Sequence, residues 1–389
     1  APVTGAYTDK NAGMGKTVNF TGLTLTGTGA GNYSLSTTTL TTTGDIAKRA
    51  LTLEGTAGTQ FTKIYDGNAT VTQSLAHGTN YRLAGVVEGE GTNIVALNES
   101  AAQGVYATKD AQAAGAQQNV TFTNLSLTGS GAGNYTLAAN KTFENAGRIT
   151  PKQLNLALTS GARFDKTYDG NATVTQSLTK GMNYTLTNFV TGEGADIVLA
   201  PVTGTYTDKN AGTGKAVTFG GLTLTGSGAA NYTLAASKTF ENAGRITPKE
   251  LTLDLTSGAR FDKTYDGNAN VTQSLTKDRN YTLTNFVNGE GADIALAPVT
   301  GAYTDKNAGM GKTVTFGGLT LTGTGAGNYV LNTSTLAGTG TIAHRDLTLT
   351  ADAQSIVQGE ALPSFMGRAD GFAEGEDASV FGADGITFG

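Results

Sequence analysis

The residues best suited to chemistry in this sequence lie in a turn that occurs three times. The motif Lys-x-Tyr-Asp-Gly-Asn begins at Lys63, Lys166 and Lys263. Its Asp and Asn side chains offer oxygen atoms, which are the ligands that calcium prefers. Calcium is therefore the one candidate cofactor, and its candidate ligands are Asp66, Asp169 and Asp266.

A structural turn is the preferred interpretation of the same motif. The spacing falls short of the alternating acidic residues of a dedicated calcium loop. Asp can cap its own turn, Gly supplies a positive φ, and Tyr packs inward. The residues of this predicted structural turn are Tyr65, Asp66, Gly67, Tyr168, Asp169, Gly170, Tyr265, Asp266 and Gly267.

The sequence contains few residues of the types that enzymes commonly use for catalysis. The sequence has no cysteine, which excludes thiol catalysis and zinc–thiolate sites, and only two histidines, His77 and His344. Each prominent acid recurs once per repeat, and repetition serves length and valency better than turnover. We therefore expect the protein not to be an enzyme and to have no catalytic residue.

Two further landmarks recur with the same period of about a hundred residues, the length of a small all-β domain. Gly-Glu-Gly surrounds Glu90, Glu193 and Glu290, and Asn-Tyr recurs at Tyr33, Tyr135, Tyr232 and Tyr329. The sequence predicts the second half of a repeat at 1–48, full repeats at 49–151, 152–248 and 249–344, and the front of a related domain at 345–389. Because residues 1–5 match 200–204 inside a repeat, we expect a piece of a longer chain.

The predicted fold is all-β, with tandem immunoglobulin-like antiparallel β-sandwiches. Short runs of alternating apolar and polar residues, bounded by turns, are typical of sandwiches. A solenoid would need self-similarity with a period of 20–30 residues, which the sequence does not show. In the first full repeat we expect about seven strands, drawn from runs at 51–53, 61–65, 69–75, 81–87, 94–97, 104–108, 120–127, 135–137 and 146–149. Short linkers between repeats predict an elongated rod with units of roughly 35 Å.

The predicted core of the middle repeat consists of apolar and aromatic residues on these runs. Its members are Leu154, Leu156, Phe164, Tyr168, Val174, Leu178, Tyr184, Leu186, Phe189, Ile197, Val217, Phe219, Leu222, Leu224, Tyr232 and Leu234.

Two other motifs have alternative interpretations. The glycine-rich stretches at 129–133, 226–228 and 323–327 precede strands and not helices, so hairpin turns are preferred over phosphate loops. The Tyr-Thr-Asp-Lys-Asn-Ala segments at Tyr7, Tyr206 and Tyr303 present an acid and a lysine. A solvated turn is preferred over a partner-binding loop, because lone exposed charges add little.

Charge and hydropathy limit the partners. The net charge of −5 gives no basic surface for nucleic acid. No run approaches the 18 or so apolar residues of a membrane span, so we expect no membrane insertion in this segment.

The repeated Lys-x-Tyr-Asp-Gly-Asn, Gly-Glu-Gly and Asn-Tyr motifs resemble the YDG repeat of large bacterial surface and matrix exoproteins, including filamentous-haemagglutinin-like adhesins. From about residue 345, Leu347-Thr348-Leu349 and Glu374-Gly375-Glu376 are similar to the opening of an MBG domain, although Gln358 stands where that domain has tyrosine. The resemblance implies two-partner secretion from Gram-negative bacteria, display on the cell surface or in the biofilm matrix, and a role in adhesion or cohesion.

Three functional hypotheses follow. The first is a structural or adhesive stalk, or fibre segment, that provides reach and cohesion. The second is a multivalent module whose repeats bind carbohydrate or protein. The third is a filament subunit in which incomplete terminal domains complement one another by strand addition. The expected partners are other copies of the chain, or polysaccharide or protein of the cell surface or matrix.

Overall fold

A computed structural model describes residues 3–381 of the chain. Its contacts divide them into two compact units. One contains the residues up to Ala157 with Tyr184–Ala200 and Leu222–Ala236, and the other contains Leu158–Asn183, Pro201–Gly221 and the residues from Ser237 onward. The second full repeat contributes strands to both units.

Short strands make up the regular structure of the described residues, together with single-turn 3-10 helices. Residues 3–46 form β1 (Gly5–Tyr7), β2 (Gly13–Phe20), a 3-10 helix (Ala30–Asn32) and β3 (Leu40–Ile46). The first full repeat forms β4 (Arg49–Gly55), β5 (Phe61–Ile64), β6 (Tyr81–Ala84), β7 (Ala96–Leu97), β8 (Gln103–Tyr106), β9 (Gln118–Thr123), β10 (Leu127–Thr128), a 3-10 helix (Ala132–Asn134), β11 (Tyr135–Leu137) and β12 (Lys141–Thr150).

The later repeats follow the same order. The second forms β13 (Lys152–Gln153), β14 (Asn155–Leu158), β15 (Phe164–Thr167), β16 (Tyr184–Thr187), β17 (Val198–Leu199), β18 (Gly204–Tyr206), β19 (Gly212–Gly220), β20 (Leu224–Thr225), a 3-10 helix (Ala229–Asn231), β21 (Tyr232–Thr233) and β22 (Ser237–Thr247). The third forms β23 (Lys249–Leu255), β24 (Lys263–Thr264), β25 (Tyr281–Thr284), β26 (Ala295–Leu296), β27 (Ala302–Tyr303), β28 (Gly309–Gly317), β29 (Leu321–Thr322), a 3-10 helix (Ala326–Asn328), β30 (Tyr329–Leu331) and β31 (Thr335–Ala343). The last described segment forms β32 (Thr348–Ala351), β33 (Gly367–Asp370) and a 3-10 helix (Ala378–Phe381).

Each full repeat contains a four-stranded sheet, in the order β5-β12-β9-β8 in the first repeat and in the equivalent orders in the other two. A second sheet, β11-β4-β6, and a short β7-β10 pair complete the first repeat. The prediction of an all-β chain of repeated sandwich-like modules is confirmed. The sheets are nevertheless mixed, because β5 runs parallel to β12 and β11 runs parallel to β4. These partners are far apart in sequence, and a long connection lets a strand enter a sheet from the same end as its neighbour.

The core of each repeat is centred on a pair of phenylalanine rings. Phe261 and Phe316 are fully buried, with ring centroids 4.8 Å apart. Phe61 packs on Phe122 at 4.9 Å in the first repeat. Such tilted pairs add to the stabilisation that burial alone provides.

Most of the core predicted for the middle repeat is buried. Leu178, Phe189, Leu224 and Leu234 are instead only partly buried. Sequence reasoning missed five other buried apolar or aromatic residues, which are Leu199, Tyr206, Phe240, Ala243 and Ile246.

The predicted strand at 69–75 is wrong. This segment contributes one isolated bridge, between Thr70 and Val105, and buries Val71 and Leu75. The Gln73 side chain accepts a hydrogen bond from the Thr62 backbone N–H at 2.8 Å. A side chain therefore covers this edge position of β5, which a backbone strand would otherwise occupy.

The glycine-rich stretches form 3-10 turns and not the simple hairpins that were predicted. Gly129, Gly226 and Gly323 adopt φ angles of 107°, 110° and 109°. A Cβ atom at Gly323 would lie 1.9 Å from the backbone oxygen of Asp293. Glycine is required here both by the positive φ and by the close approach of the backbone.

None of the helices in residues 3–381 has the length and apolar character needed to cross a bilayer.

Candidate functional site at the repeat junctions

The Tyr-Asp-Gly-Asn turn encloses the lysine that precedes it. Lys63 Nζ donates to Asp66 Oδ1 at 2.6 Å, to the Asn68 backbone oxygen at 2.8 Å and to Asn68 Oδ1 at 3.0 Å. The Lys63 side chain is only 5% exposed, and its ammonium lies 5.6 Å from the centre of the Tyr106 ring. Asp66 Oδ1 also accepts the Asn68 backbone N–H, which closes the turn as predicted.

The second and third copies repeat this arrangement. Lys166 Nζ donates to Asp169 Oδ1 at 2.6 Å, and Lys263 Nζ donates to Asp266 Oδ1 at the same distance. The oxygens that made these aspartates calcium candidates thus surround an ammonium group. In residues 3–381 no group of three or more His, Asp or Glu side chains has an arrangement that could hold a metal ion. Calcium binding at Asp66, Asp169 and Asp266 stays a prediction.

The tyrosine of the turn contacts the following repeat. Tyr65 hydroxyl donates to Glu193 Oε1 at 2.7 Å, and Tyr232 hydroxyl donates to Glu193 Oε2 at 2.6 Å. The two tyrosine rings meet edge to face, with centroids 5.5 Å apart. We call this arrangement the Tyr–Glu–Tyr cluster. It joins all three landmark motifs of the sequence at one junction.

The next junction has the same cluster. Tyr168 hydroxyl donates to Glu290 Oε1 at 2.8 Å, and Tyr329 hydroxyl donates to Glu290 Oε2 at 2.6 Å. Lys209 Nζ lies 3.5 Å from Glu290 Oε1. At the last described junction, Tyr265 and Lys306 both donate to Glu376 Oε1, at 2.7 Å and 2.9 Å.

An asparagine provides the second contact of each junction between repeats. Asn231 Oδ1 accepts the Ala111 backbone N–H at 2.8 Å, and Asn231 Nδ2 donates to Asp110 Oδ1 at 3.1 Å. Asn328 binds Ala211 and Asn210 in the same way. We call this pair of bonds the asparagine clamp.

The glycine of the turn is also part of the junction. A Cβ atom at Gly67 would lie 2.9 Å from Val190 Cγ1, and one at Gly170 would lie 2.8 Å from Val287 Cγ1. Both glycines have positive φ, at 84° and 82°. Each residue of the Tyr-Asp-Gly motif therefore has its own neighbour. The tyrosine bonds to the glutamate of the next repeat, the aspartate bonds to the lysine, and the glycine lies against the valine of the next repeat.

Comparison with protein-family models decides the family. The model of the YDG domain matches residues 1–40, 47–142, 150–239 and 247–336. The chain belongs to the YDG domain family. A search of curated proteins found no match.

The YDG turn contains the residues predicted from the sequence, and the junction adds residues whose contacts sequence reasoning missed. The Gly-Glu-Gly glutamate and the Asn-Tyr pair were recognised as landmarks only. The Tyr-Thr-Asp-Lys-Asn-Ala segment is the exposed turn that was expected, but it also contacts the next repeat, which was not expected. Lys209 Nζ lies 3.5 Å from Glu290 Oε1, the Asn210 side-chain oxygen accepts a hydrogen bond from Asn328, and the Ala211 backbone N–H donates one to Asn328. The sign in the sequence that these residues belong to one site is that all their motifs recur with the same period.

Two of the junction glutamates, Glu290 and Glu376, are held in the ionised form. Hydrogen bonds from Tyr329 and Tyr168 and the ammonium of Lys209 keep the pKa of Glu290 below its usual value of 4.5. Lys306 and Tyr265 do the same for the pKa of Glu376. Burial, together with the bond to Glu290, raises the pKa of Tyr329 to about 12. At neutral pH the cluster thus pairs neutral phenols with a carboxylate.

The junction at Glu290 is expected to weaken in acid. A carboxyl whose pKa is depressed by folding contributes stability above its unfolded pKa and loses it as pH falls through the folded value. For Glu290 this window lies below its usual pKa of 4.5. The protection factors for hydrogen exchange at residues 287–293 should therefore fall below that pH before those of the amides of the third repeat's core do. The same fall in a Glu290→Gln chain, which has no carboxyl to titrate there, would contradict this assignment.

A double-mutant cycle measures the cluster directly. Tyr168→Phe and Glu290→Gln should each lower the free energy of unfolding, and the pair should show a coupling of about 1–2 kcal/mol, because a hydrogen bond to a carboxylate contributes more than a neutral one. Urea denaturation of the four chains provides the measurement. Tyr33→Phe is the control, because Tyr33 is 77% exposed. Additive effects of the two changes would show that the contact adds nothing.

Proposed function

We propose that this chain is a non-catalytic stalk or fibre segment of a bacterial cell-surface or biofilm-matrix adhesin, which provides reach and cohesion between cells or between cells and surfaces. In this proposal the protein is exported by two-partner secretion. The segment from about residue 345 is the front of an MBG-like domain, and the expected partners are other copies of the chain or polysaccharide or protein of the matrix.

One observation carries the proposal: the same junction recurs from repeat to repeat. At the junction after the first full repeat, Tyr65 binds Glu193, and Asn231 binds the backbone of Ala111. At the next, Tyr168 binds Glu290, and Asn328 binds Ala211. Two contacts on separate loops restrict rotation of one repeat against the next more than a linker alone does. A stalk needs this restriction, whereas an enzyme or a flexible tether does not.

Electron microscopy of the purified chain tests the proposal. We expect particles of uniform length, with an increment of about 35 Å for each full repeat, judging by the size of a 100-residue domain. A chain with Tyr65→Phe, Tyr168→Phe, Asn231→Ala and Asn328→Ala should keep its folded repeats, because phenylalanine retains the two buried rings, and should show a broad distribution of end-to-end lengths. Compact particles from the unmutated chain would refute the stalk.

Adhesion is tested separately on cells. Display of the chain on a non-adherent bacterium should increase cell-to-cell cohesion, and the four-substitution chain should reduce that increase. Saturable binding of one glycan by the chain, unchanged by the four substitutions, would favour a multivalent binding module instead.

A further inference from the structure

The enclosed lysine of the YDG turn lies next to a side-chain amide as well as a carboxylate. Lys63 Nζ is 3.0 Å from Asn68 Oδ1, and Lys166 Nζ is 3.0 Å from Asn171 Oδ1. Because a carbonyl bond is about 1.2 Å long, each amide carbon lies no more than roughly 4.2 Å from the lysine nitrogen. A shift of about 1 Å therefore brings the two atoms to the distance at which bound groups react.

A backbone N–H group polarises the same amide. The Thr70 N–H donates to Asn68 Oδ1 at 2.9 Å, and the Thr173 N–H donates to Asn171 Oδ1 at 2.8 Å. A donor in this position stabilises the negative charge that develops on the amide oxygen when a nucleophile attacks the amide carbon. The turn thus contains an amine, an amide and an oxyanion donor in contact.

The aspartate of the turn supplies a base. Asp169 Oδ1 is 2.6 Å from Lys166 Nζ, which is within the range for proton transfer. Lysine is a nucleophile only as the neutral amine, and an adjacent base is one way in which proteins activate a nucleophile. The Lys166 side chain is 4% exposed, and its nitrogen lies 5.6 Å from the centre of the Tyr206 ring. Water therefore has little access to the reacting groups.

We propose that the YDG turn is a self-modifying site, at which the lysine forms a covalent amide bond with the following asparagine and releases ammonia. In the second repeat, Asp169 accepts a proton from Lys166, and the neutral nitrogen attacks Asn171 Cγ. The carbonyl electron pair moves onto Oδ1 and returns as the Cγ–Nδ2 bond breaks. Nδ2 leaves as an ammonium ion, with the proton from Asp169 and a second proton from the attacking nitrogen. Atoms and charge balance without a co-reactant, and Asp169 is again a carboxylate.

The new bond closes a ring around the residue that contacts the next repeat. In the first full repeat it joins Lys63 to Asn68 and encloses Tyr65, whose hydroxyl bonds to Glu193. A covalent ring restricts the backbone of the turn in the unfolded chain as well as in the folded one. The inference rests on the geometry of the turn and not on the stalk proposal, so either can fail alone.

The third copy has a less favourable geometry and provides an internal comparison. Lys263 Nζ is 3.3 Å from Asn268 Oδ1, and it also donates to the Asn270 backbone oxygen at 2.8 Å. This additional acceptor holds the nitrogen farther from the amide. We therefore expect Lys63 and Lys166 to react first and Lys263 to react more slowly.

Intact-mass measurement of the full chain tests the proposal. The folded chain is incubated in mildly alkaline buffer, because only the neutral amine reacts, until its mass no longer changes. We expect the mass to fall by two or three ammonia molecules. Trypsin should no longer cleave after Lys63 and Lys166, because it needs the free charged side chain. Fragment spectra of the linked peptides should place the new bonds at Asn68 and Asn171.

Two substitutions test the assigned roles within one chain. Asn171→Ala should lower the number of ammonia molecules lost by one, while the turn of the first repeat still reacts and so serves as the control for folding. Asp169→Ala should slow the reaction at Lys166 by about a hundredfold or more, the usual contribution of a general base. The rate at Lys63 should stay unchanged in both variants.

Lys215 is the matched lysine. Its nitrogen is 2.7 Å from Asp208 Oδ1, and its side chain is 9% exposed, as in the enclosed lysines of the turns. In the part of the chain that the structure describes, its ammonium has no bond to a side-chain amide oxygen. Trypsin should therefore still cleave after Lys215 once the incubated chain is denatured.

The proposal is overturned if the incubated chain keeps its full mass. It is equally overturned if the chain incubated in guanidinium chloride shows the same loss, because the reaction would then not depend on the folded turn. Loss of water in place of ammonia would place the bond at the aspartate and contradict the role of the asparagine. A gain in mass with free lysines would show hydrolysis of the asparagine instead.

Discussion

Replacing Gly323 by alanine is expected to unfold the third YDG repeat locally and to lower the free energy of unfolding by about 3–5 kcal/mol. The added Cβ would meet the Asp293 backbone oxygen at 1.9 Å, and a backbone oxygen cannot move aside as a side chain can. The residue also has a φ of 109°, which costs an L-residue further strain. Hydrogen exchange of the β26–β29 pair should rise toward the rate of the unfolded chain.

Gly327→Ala is the matched control four residues away. Nothing lies within 4 Å of a Cβ built there, and its φ is not positive. This variant should stay within about 0.5 kcal/mol of the unmutated chain, as surface substitutions usually do. Equal effects of the two variants would show that the turn is not constrained by its backbone contact.

Lys166→Met is expected to lower the free energy of unfolding by about 2–3 kcal/mol. Methionine keeps most of the packing volume but leaves Asp169 Oδ1 and both oxygens of Asn171 without the ammonium that they surround. The Lys166 side chain is 4% exposed, so water cannot fully replace it. The value lies below that of a fully buried ion pair, because Asp169 is 39% exposed. Chemical denaturation provides the measurement.

Lys109→Met, at an exposed lysine, is the control for loss of one positive charge. If Lys109→Met lowered the free energy of unfolding as much as Lys166→Met, the result would contradict the enclosed-ammonium interpretation.

The same denaturation experiments test calcium binding. Because an ammonium lies among the candidate oxygens, millimolar calcium should leave the denaturation midpoint of the unmutated chain unchanged. A rise in that midpoint, lost in Asp169→Ala, would instead establish a calcium site.

The sequence allowed the all-β class, the period and the turn chemistry of Asp66 and Gly67 to be predicted, because each depends on neighbours within a few residues. The partner of Tyr65 could not be predicted in this way. Glu193 is 128 residues away, and its distance from Tyr65 depends on how one repeat meets the next. A regular period shows which residues are equivalent but not which of them touch.

The wrong strand at 69–75 has a different cause. Ala-Thr-Val-Thr alternates as a strand does, and alternation is the main signal for strands. Here Gln73 bonds to the backbone of β5 through its side chain. Local pattern cannot distinguish a residue that pairs through its backbone from one that pairs through an amide side chain.

The parallel pairing of β12 with β5 has a mechanical consequence. β12 is the last strand of the first repeat, and four residue pairs connect it to β5 in one register. A pulling force along the chain would slide these two strands past each other, and their hydrogen bonds, which cross between the strands, would share the load and have to break together. An unzipping geometry would break them one at a time. A chain of such repeats is therefore expected to resist tension until a whole β5–β12 ladder shears at once.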